Sequence, residues 1–324
     1  MRSLAGSEHM IEFDYADSIW NEAVRADEHG DPFCCRTEWQ LSFYEALGQG
    51  RPLYIRSQAE SVIALAGRTI DGVAALEPID NSWMFGSPLI GPDAVPMLAE
   101  LMRDFPARPV IISGLITNGD RVAELLTTFS ERCEFYLVSN ETACSATLEG
   151  GLDDYLSRRS AKLRRGVRSA ARRAAAKGVT FERHTPGTKA ECDSVFQRII
   201  DVELRSWKGI GQCGMANEPS RTFYRAMMGR LSAARGSRVM FATHDGEDIG
   251  FILGCVGSGV YRGQQFSFVD TWRRDSIGNL LQLEQIRWLC EEGVARYDMG
   301  PLMDYKVHWT ETQRRFDAIA LYPS

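Results

Sequence analysis

Phe266–Trp309 reads FSFVDTWRRDSIGNLLQLEQIRWLCEEGVARYDMGPLMDYKVHW, and its changes of period set the fold class. Gln265–Asp270 is dense in aromatic and β-branched residues and reads as a buried strand. Arg273 and Arg274 follow, then Asp275-Ser276-Ile277-Gly278-Asn279, whose Asp, Ser, Gly and Asn are turn and cap chemistry. From Leu280 the apolar residues fall at 280, 281, 283, 286, 289 and 290, the spacing of a helix with one buried face. Gly293 stands where a helix end takes positive φ. Val294–Met299 is the next strand. The unit is a parallel strand–helix–strand, and it implies anion chemistry at the helix start, where the first amides lack partners and carry the positive end of the dipole. The same residues also make an ordinary strand-to-helix turn with solvated arginines, since one glycine is a weak signal.

Around this unit the chain reads as two domains of ordinary size: 324 residues, 44% hydrophobic and 25% charged. The net charge of −6 excludes a chain that is basic throughout. The eight cysteines form no CxxC pair, which reads as reduced thiols in a cytoplasmic protein and as no metal site. No apolar run reaches the ~18 residues of a spanning helix, so no membrane insertion is expected. Met1–Met10 has the look of an expression-vector leader.

The N-terminal half reads as helices at Asp17–Ala26 and Glu38–Leu47, with Thr37 as a cap for the second. Strands follow at Arg51–Arg56, Ser61–Arg68 and Val73–Ile79. A Gly/Pro segment, Phe85–Pro92, precedes a helix at Ala94–Asp104. A strand at Pro109–Leu115, a helix at Asp120–Thr128 and a strand at Glu134–Val138 complete the half. Phe85–Pro92 carries no basic neighbour in sequence and reads as a packing turn or as a relic of a phosphate loop.

Leu152–Lys177 reads as one helix carrying nine Lys/Arg residues over a narrow apolar stripe. It is either a solvated face, a phosphate-contacting helix or a nucleic-acid surface. No aromatic residue interleaves with the arginines, so stacking of single-stranded bases has no platform. Lys189–Trp207 is an amphipathic helix, and Glu203, Ser206, Trp207 and Lys208 cluster at its end. Gly209–Pro219 reads as a glycine-rich loop over a cleft, and Ser220 as the cap of a helix at Arg221–Arg235. Arg238–His244 and Asp248–Val256 form a hairpin across Asp245-Gly246.

Over about residues 150–315 the chain resembles the GNAT acyltransferase superfamily, in its FemAB-like or CelD-like (BioF2-like) branch. Five features carry the resemblance: Glu203 with Ser206-Trp207-Lys208; the strand Leu253–Val256 after His244-Asp245-Gly246; Asp270; Ser276-Ile277-Gly278-Asn279-Leu280; and Asp298-x-Gly300 followed by Tyr305-Lys306-x-x-Trp309. One departure stands out: three residues separate Arg274 from Gly278, and Leu280 occupies the place of the second small residue of the usual phosphate loop. The resemblance implies an α/β fold with mixed sheets, as tandem GNAT-like domains of FemAB-like architecture. A structural domain at 11–148 and a catalytic one at 149–324 are expected.

It further implies an N-acyltransferase that moves an acyl group, acetyl above all, from acetyl-CoA or another acyl-CoA to an amine of a small metabolite, amino acid or amino sugar. Aminoacyl-tRNA as donor, in the manner of Fem-type ligases, is the first alternative, and a non-catalytic binding protein the second. The expected catalytic residues are Asp270, Tyr305 and Lys306. Glu203, Ser206, Trp207, Lys208, Asp298 and Trp309 are expected at the acceptor. Arg273, Arg274, Ser276, Gly278, Asn279 and Leu280 are expected at the donor.

Overall fold

A computed structural model describes residues 13–324, with side chains from residue 19. The leader-like Met1–Met10 lies outside the described residues. The chain divides into two compact units, one ending at Thr142 and taking back Arg314–Ser324, the other Ala143–Gln313. The division between the units falls inside a strand that runs from Cys133 to Thr147, just before the expected boundary at 148, and the last residues group with the first unit.

The first unit begins with α1 (Phe13–Ala26) and α2 (Thr37–Phe43). Thr37 lies inside α2; Arg36 holds the cap position with no side-chain hydrogen bond. A hairpin of β1 (Leu53–Gln58) and β2 (Ser61–Ile70) leads antiparallel into β3 (Val73–Pro78). The two-residue β4 (Leu89–Ile90) adds to β2. The next elements are α3 (Ala94–Asp104), β5 (Val110–Ile116), α4 (Asp120–Phe129) and β6 (Cys133–Thr147). β5 runs parallel to β3 through a single register pair, Leu76 with Val110. The apolar faces of α3 and α4 close one core over β2, β3 and β5, and Trp20, Val24, Val62, Ala64 and Ile79 form another.

The second unit opens with α5 (Gly151–Ser157) and α6 (Ala161–Ala176), two helices where the sequence reads as one. The break is chemical. Ser160 is extended, and its hydroxyl accepts from the Leu163 amide at 3.2 Å, an N-cap that starts a new helix. Arg164 turns back to donate to the Ser157 and Arg159 carbonyls at the end of α5. The unit continues through β7 (Thr180–His184), α7 (Lys189–Leu204), the short α8 (Trp207–Ile210) and α9 (Ser220–Leu231). Pro219, not Ser220, sits at the cap position of α9. β8 (Ser237–His244), β9 (Glu247–Gly257) and β10 (Val260–Phe268) form an antiparallel meander. Its first turn has positive φ at both Asp245 and Gly246, as Asp-Gly hairpins require. A 3₁₀ turn (Asp270–Asp275), α10 (Ile277–Glu291) and β11 (Arg296–Pro301) follow, and β12 (Thr312–Pro323) returns to pair antiparallel with β5.

Each unit is a mixed α/β layer in which a three-strand meander, a helix and a parallel strand recur in the same order. In the second unit α10 packs Ile277, Leu280 and Leu281 on one side of its sheet and Leu283, Ile286 and Leu289 in the neighbouring core. Among the described residues no helix is long and apolar enough to cross a membrane.

Candidate active site

β10 and β11 are hydrogen-bonded in parallel only from Val260–Arg296 to Arg262–Asp298. Beyond that rung they part, because each is interrupted. β10 carries a bulge between Gly263 and Gln265, and β11 kinks at Gly300, whose φ is +71°. The last shared rung is a buried ion pair, with Arg262 Nη1 3.0 Å from Asp298 Oδ2. The other Asp298 oxygen accepts from the Gly300 amide at 2.7 Å, which fixes the kink. Asp298 is thus held by Arg262 and by the Gly300 amide.

Where strands part, carbonyls lose their ladder partners and need donors. Two lysines supply them. On β10, Lys208 Nζ donates to the Phe266 carbonyl at 3.0 Å and to Gln265 Oε1 at 2.9 Å. On β11, Lys306 Nζ donates to the carbonyls of Met299 at 2.6 Å and Pro301 at 2.8 Å. Beside them lies a narrow crevice, lined among others by Gln264, Phe266, Gln282, Tyr297, Tyr305 and Lys306. Burial pulls Lys306 down to about 8, with Arg262 and Lys208 adding like charge and Asp298 opposing them. Burial also lowers Lys208, against the opposing pull of Glu203. Tyr305, edge-on to Phe266 with ring centroids 5.6 Å apart, is pushed by burial up to about 12 and keeps its proton.

The acceptor-side residues divide. Glu203 is fully buried; it accepts from the Met215 amide at 3.1 Å, which anchors the Gly209–Pro219 loop at its centre. Gly214 is obligatory there, since a Cβ would sit 2.3 Å from Glu203 Oε1. Ser206 is the cap of α8, accepting from the Lys208 and Gly209 amides. Trp207 is half exposed beside it. Trp309, expected at the acceptor, is 3% exposed and belongs to the core with Tyr155 and Leu289, so it has no face for a ligand. Asp270 opens the 3₁₀ turn, its amide bonded to the Arg205 carbonyl, and does not line the crevice.

The donor-side residues gather at the start of α10. Arg273 and Arg274 are exposed, and Asn279 is exposed beside them. Ser276 takes the left-handed conformation at the cap but makes no side-chain cap bond, which leaves the first-turn amides uncapped by a side chain. Gly278 is small for packing: a Cβ would meet the Phe266 and Phe268 rings at 3.0–3.1 Å. Leu280 is core.

Of the basic residues around α5 and α6, Arg159 is buried, donates to the Thr310 carbonyl at 2.9 Å and pairs with Glu311. Arg158 shares Glu311 and pairs with Asp154. Lys177 pairs with Asp275 at 2.5 Å. Lys162, Arg165, Arg168, Arg172 and Arg173 are exposed along α6 and have no carboxylate partner among the described residues. A wider groove between β7 and α7 is lined by Arg183, His184 and Arg198, but Arg198 is spent on Asp248 at 2.8 Å and Arg183 on Glu291 at 2.5 Å. Among the described residues no cluster of His, Cys, Asp and Glu could hold a metal ion.

Sequence reading overlooked Arg262 and Gln264. A signal for the first exists, since an arginine inside the apolar strand Val260–Phe268 must find a buried partner.

Residues 161–307 match the acetyltransferase (GNAT) domain family. No curated protein matches the chain at the sequence level. Among solved structures it is similar to FemX, with a TM-score of 0.66 at 11% identity over 98% of this chain and 97% of that one. A conserved protein of unknown function from Bacteroides thetaiotaomicron aligns at 0.63, with 12% identity over 94% and 96% of the chains. L-PGS from Bacillus licheniformis aligns at 0.58, with 12% identity over 95% and 91%. The match over 161–307 contains the parted strands and both lysines, so this stretch is a GNAT acetyltransferase domain, and the chain as a whole shares its fold with FemX.

Proposed function

We propose that the chain transfers an acyl group, acetyl above all, from acyl-CoA to an amine of a small metabolite, amino acid or amino sugar. The reaction is placed in the crevice between β10 and β11. One observation carries this reading: two desolvated lysines, one bonded to the backbone of each parted strand, set positive charge beside a space the ladder has vacated.

The chemistry follows from that charge. The acceptor nitrogen attacks the acyl carbonyl, a C–N bond forms, and the carbonyl oxygen becomes an oxyanion. Lys306, as an ammonium, stabilises the oxyanion. Collapse breaks the C–S bond, the departing thiolate takes a proton from Lys306, whose value of about 8 suits proton transfer near neutrality, and the proton shed by the newly bonded nitrogen restores the Lys306 ammonium. Like charge from Lys208 and Lys306 disfavours a protonated acceptor, so the amine reacts as the neutral nucleophile. Tyr305 contributes a phenolic donor at the mouth. Asp298 positions Arg262 and the Gly300 kink. Arg273, Arg274 and the first amides of α10 receive the donor's phosphates.

A second reading has a specific observation behind it. The exposed cations of α6 run along a helix about 24 Å long, further than the phosphates of one coenzyme require. They favour a longer polyanion, with aminoacyl-tRNA as donor and the ribose hydroxyl as leaving group.

The test is direct. Purified protein is given acetyl-CoA with a panel of amines, and thiol release is followed; in parallel it is given charged tRNA with the same amines. Turnover with acetyl-CoA that Arg273→Ala/Arg274→Ala weakens through KM supports the coenzyme. Turnover only with charged tRNA, lost steeply as salt rises, moves the assignment to the second reading. Turnover with neither, by a folded protein, refutes both.

A further inference from the structure

Gln264 is the extra residue of the β10 bulge: Gly263 pairs with Gly254 and Gln265 with Leu253, leaving Gln264 outside the register. A bulge re-aims a side chain, and here Gln264 and its neighbour Gln265 both line the crevice. The two side chains have opposite fates. Gln265 is fully engaged, accepting from Lys208 Nζ at 2.9 Å and donating to the Tyr224 hydroxyl at 2.8 Å. The Gln264 Nε2 atom is buried and has no acceptor. The carbonyls of Phe266, Met299 and Pro301 each already accept from a lysine. Gln282, also in the lining, accepts from the Tyr297 hydroxyl at 3.3 Å. The crevice therefore holds a surplus of donors, and what completes it is an oxygen that accepts.

We infer that the Gln264 side-chain amide donates a hydrogen bond to the acyl carbonyl oxygen of the donor and holds it as the oxyanion forms, beside Lys306. This rests on the transferase reading above. A buried donor without a partner is unfavourable in the free protein, so its retention at a bulge facing the crevice is explained by a partner that arrives with substrate. The bond strengthens as charge builds on the oxygen, so it acts on turnover more than on binding.

Gln264→Met keeps the side chain's length and removes the amide. The melting temperature of the free protein is expected to rise by about 1–3 °C, because an unpaired buried donor is gone. On the same protein kcat is expected to fall roughly 10- to 100-fold with KM held within about twofold. A fall in melting temperature would show that the amide is bonded within the fold, and an unchanged kcat would show that it does not meet the reacting oxygen; either result overturns the inference. The two failures are distinguishable: loss of the transferase reading shows as wild-type protein inert toward acetyl-CoA and charged tRNA, loss of this inference as a fully active Gln264→Met.

Discussion

In the first unit β3 and β5 share one rung, Leu76–Val110, and then part; in the second, β10 and β11 part after Arg262–Asp298. The same break in a parallel ladder is handled in opposite ways. The first unit plugs its own opening. Ser113 Oγ donates to the Gly86 carbonyl at 2.6 Å, and the Gly114 amide to the Met84 carbonyl at 3.0 Å. Gly114, at φ +64°, has room for nothing larger: a Cβ would lie 2.6 Å from the Phe85 oxygen and the Ser87 nitrogen. The plug is tied down by Asp80, which is buried, raised in pKa by that burial, and bonded to Trp39 Nε1 and the Ser82 and Trp83 amides. Arg121, on α4, donates to the Gly91 carbonyl at 2.8 Å, so Phe85–Pro92 does have a basic neighbour, used internally. The second unit leaves its opening lined by side chains, Lys306 among them, with Lys208 bonded to the β10 backbone beside it. A break filled by backbone is architecture; a break left to buried charge is a site.

That contrast can be broken from either side. The largest effect is expected at Lys306. Lys306→Met should lower kcat by about 10²–10³-fold, the scale of losing one donor to a developing oxyanion, with circular dichroism unchanged. Next comes the buried pair at the last rung shared by β10 and β11. Asp298→Asn leaves Arg262 without its carboxylate and should cost about 3 kcal/mol in urea denaturation. The first unit should show the reverse pattern to Lys306: Gly114→Ala should cost about 2–3 kcal/mol, from close contacts and positive φ, while kcat per folded molecule stays at the wild-type value.

A smaller effect sharpens the electrostatics. Lys306 stands at about 8 in the folded chain against an ordinary lysine value of 10.5. Between those values the unfolded chain still binds the proton that the folded one has released, so this residue adds stability as pH rises through the window. Other buried groups work the other way: Cys144 and Tyr305 are raised by burial, so the unfolded chain loses their protons first. The readout is therefore a difference. Denaturation midpoints of wild type minus Lys306→Met should climb between pH 8 and 10.5 and be flat below. The smallest effect belongs to Arg273→Ala/Arg274→Ala, a rise in KM of a few-fold with kcat unchanged, since both side chains are exposed and screened.

Much of the fold was legible because its signals are local. The strand–turn–helix–strand run at 266–309 declares itself by period, and Asp245-Gly246 by its turn. What could not be read depends on partners far along the chain. The basic segment breaks at Ser160 because Arg159 is drawn to Thr310 and Glu311, about 150 residues away. Asp298 finds Arg262 across a parallel ladder. Trp309 is core because Tyr155 donates to its carbonyl and packs in the same cluster. Of the residues expected to act, Lys306, Tyr305 and Lys208 meet around Phe266, whereas Asp270 stands at the end of β10 away from the lining. Gln264 escaped notice because a bulge inverts the alternation by which strand faces are assigned.

The central claim is that Lys306 works as a charged group in the opening of the second unit. Its most direct test is the pH dependence of kcat for wild type and Lys306→Met, with whichever donor is turned over. The account predicts a wild-type rate that falls above an apparent value near 8, and a variant at least 10²-fold slower with that limb gone. A variant that keeps the wild-type rate and the wild-type profile would contradict it.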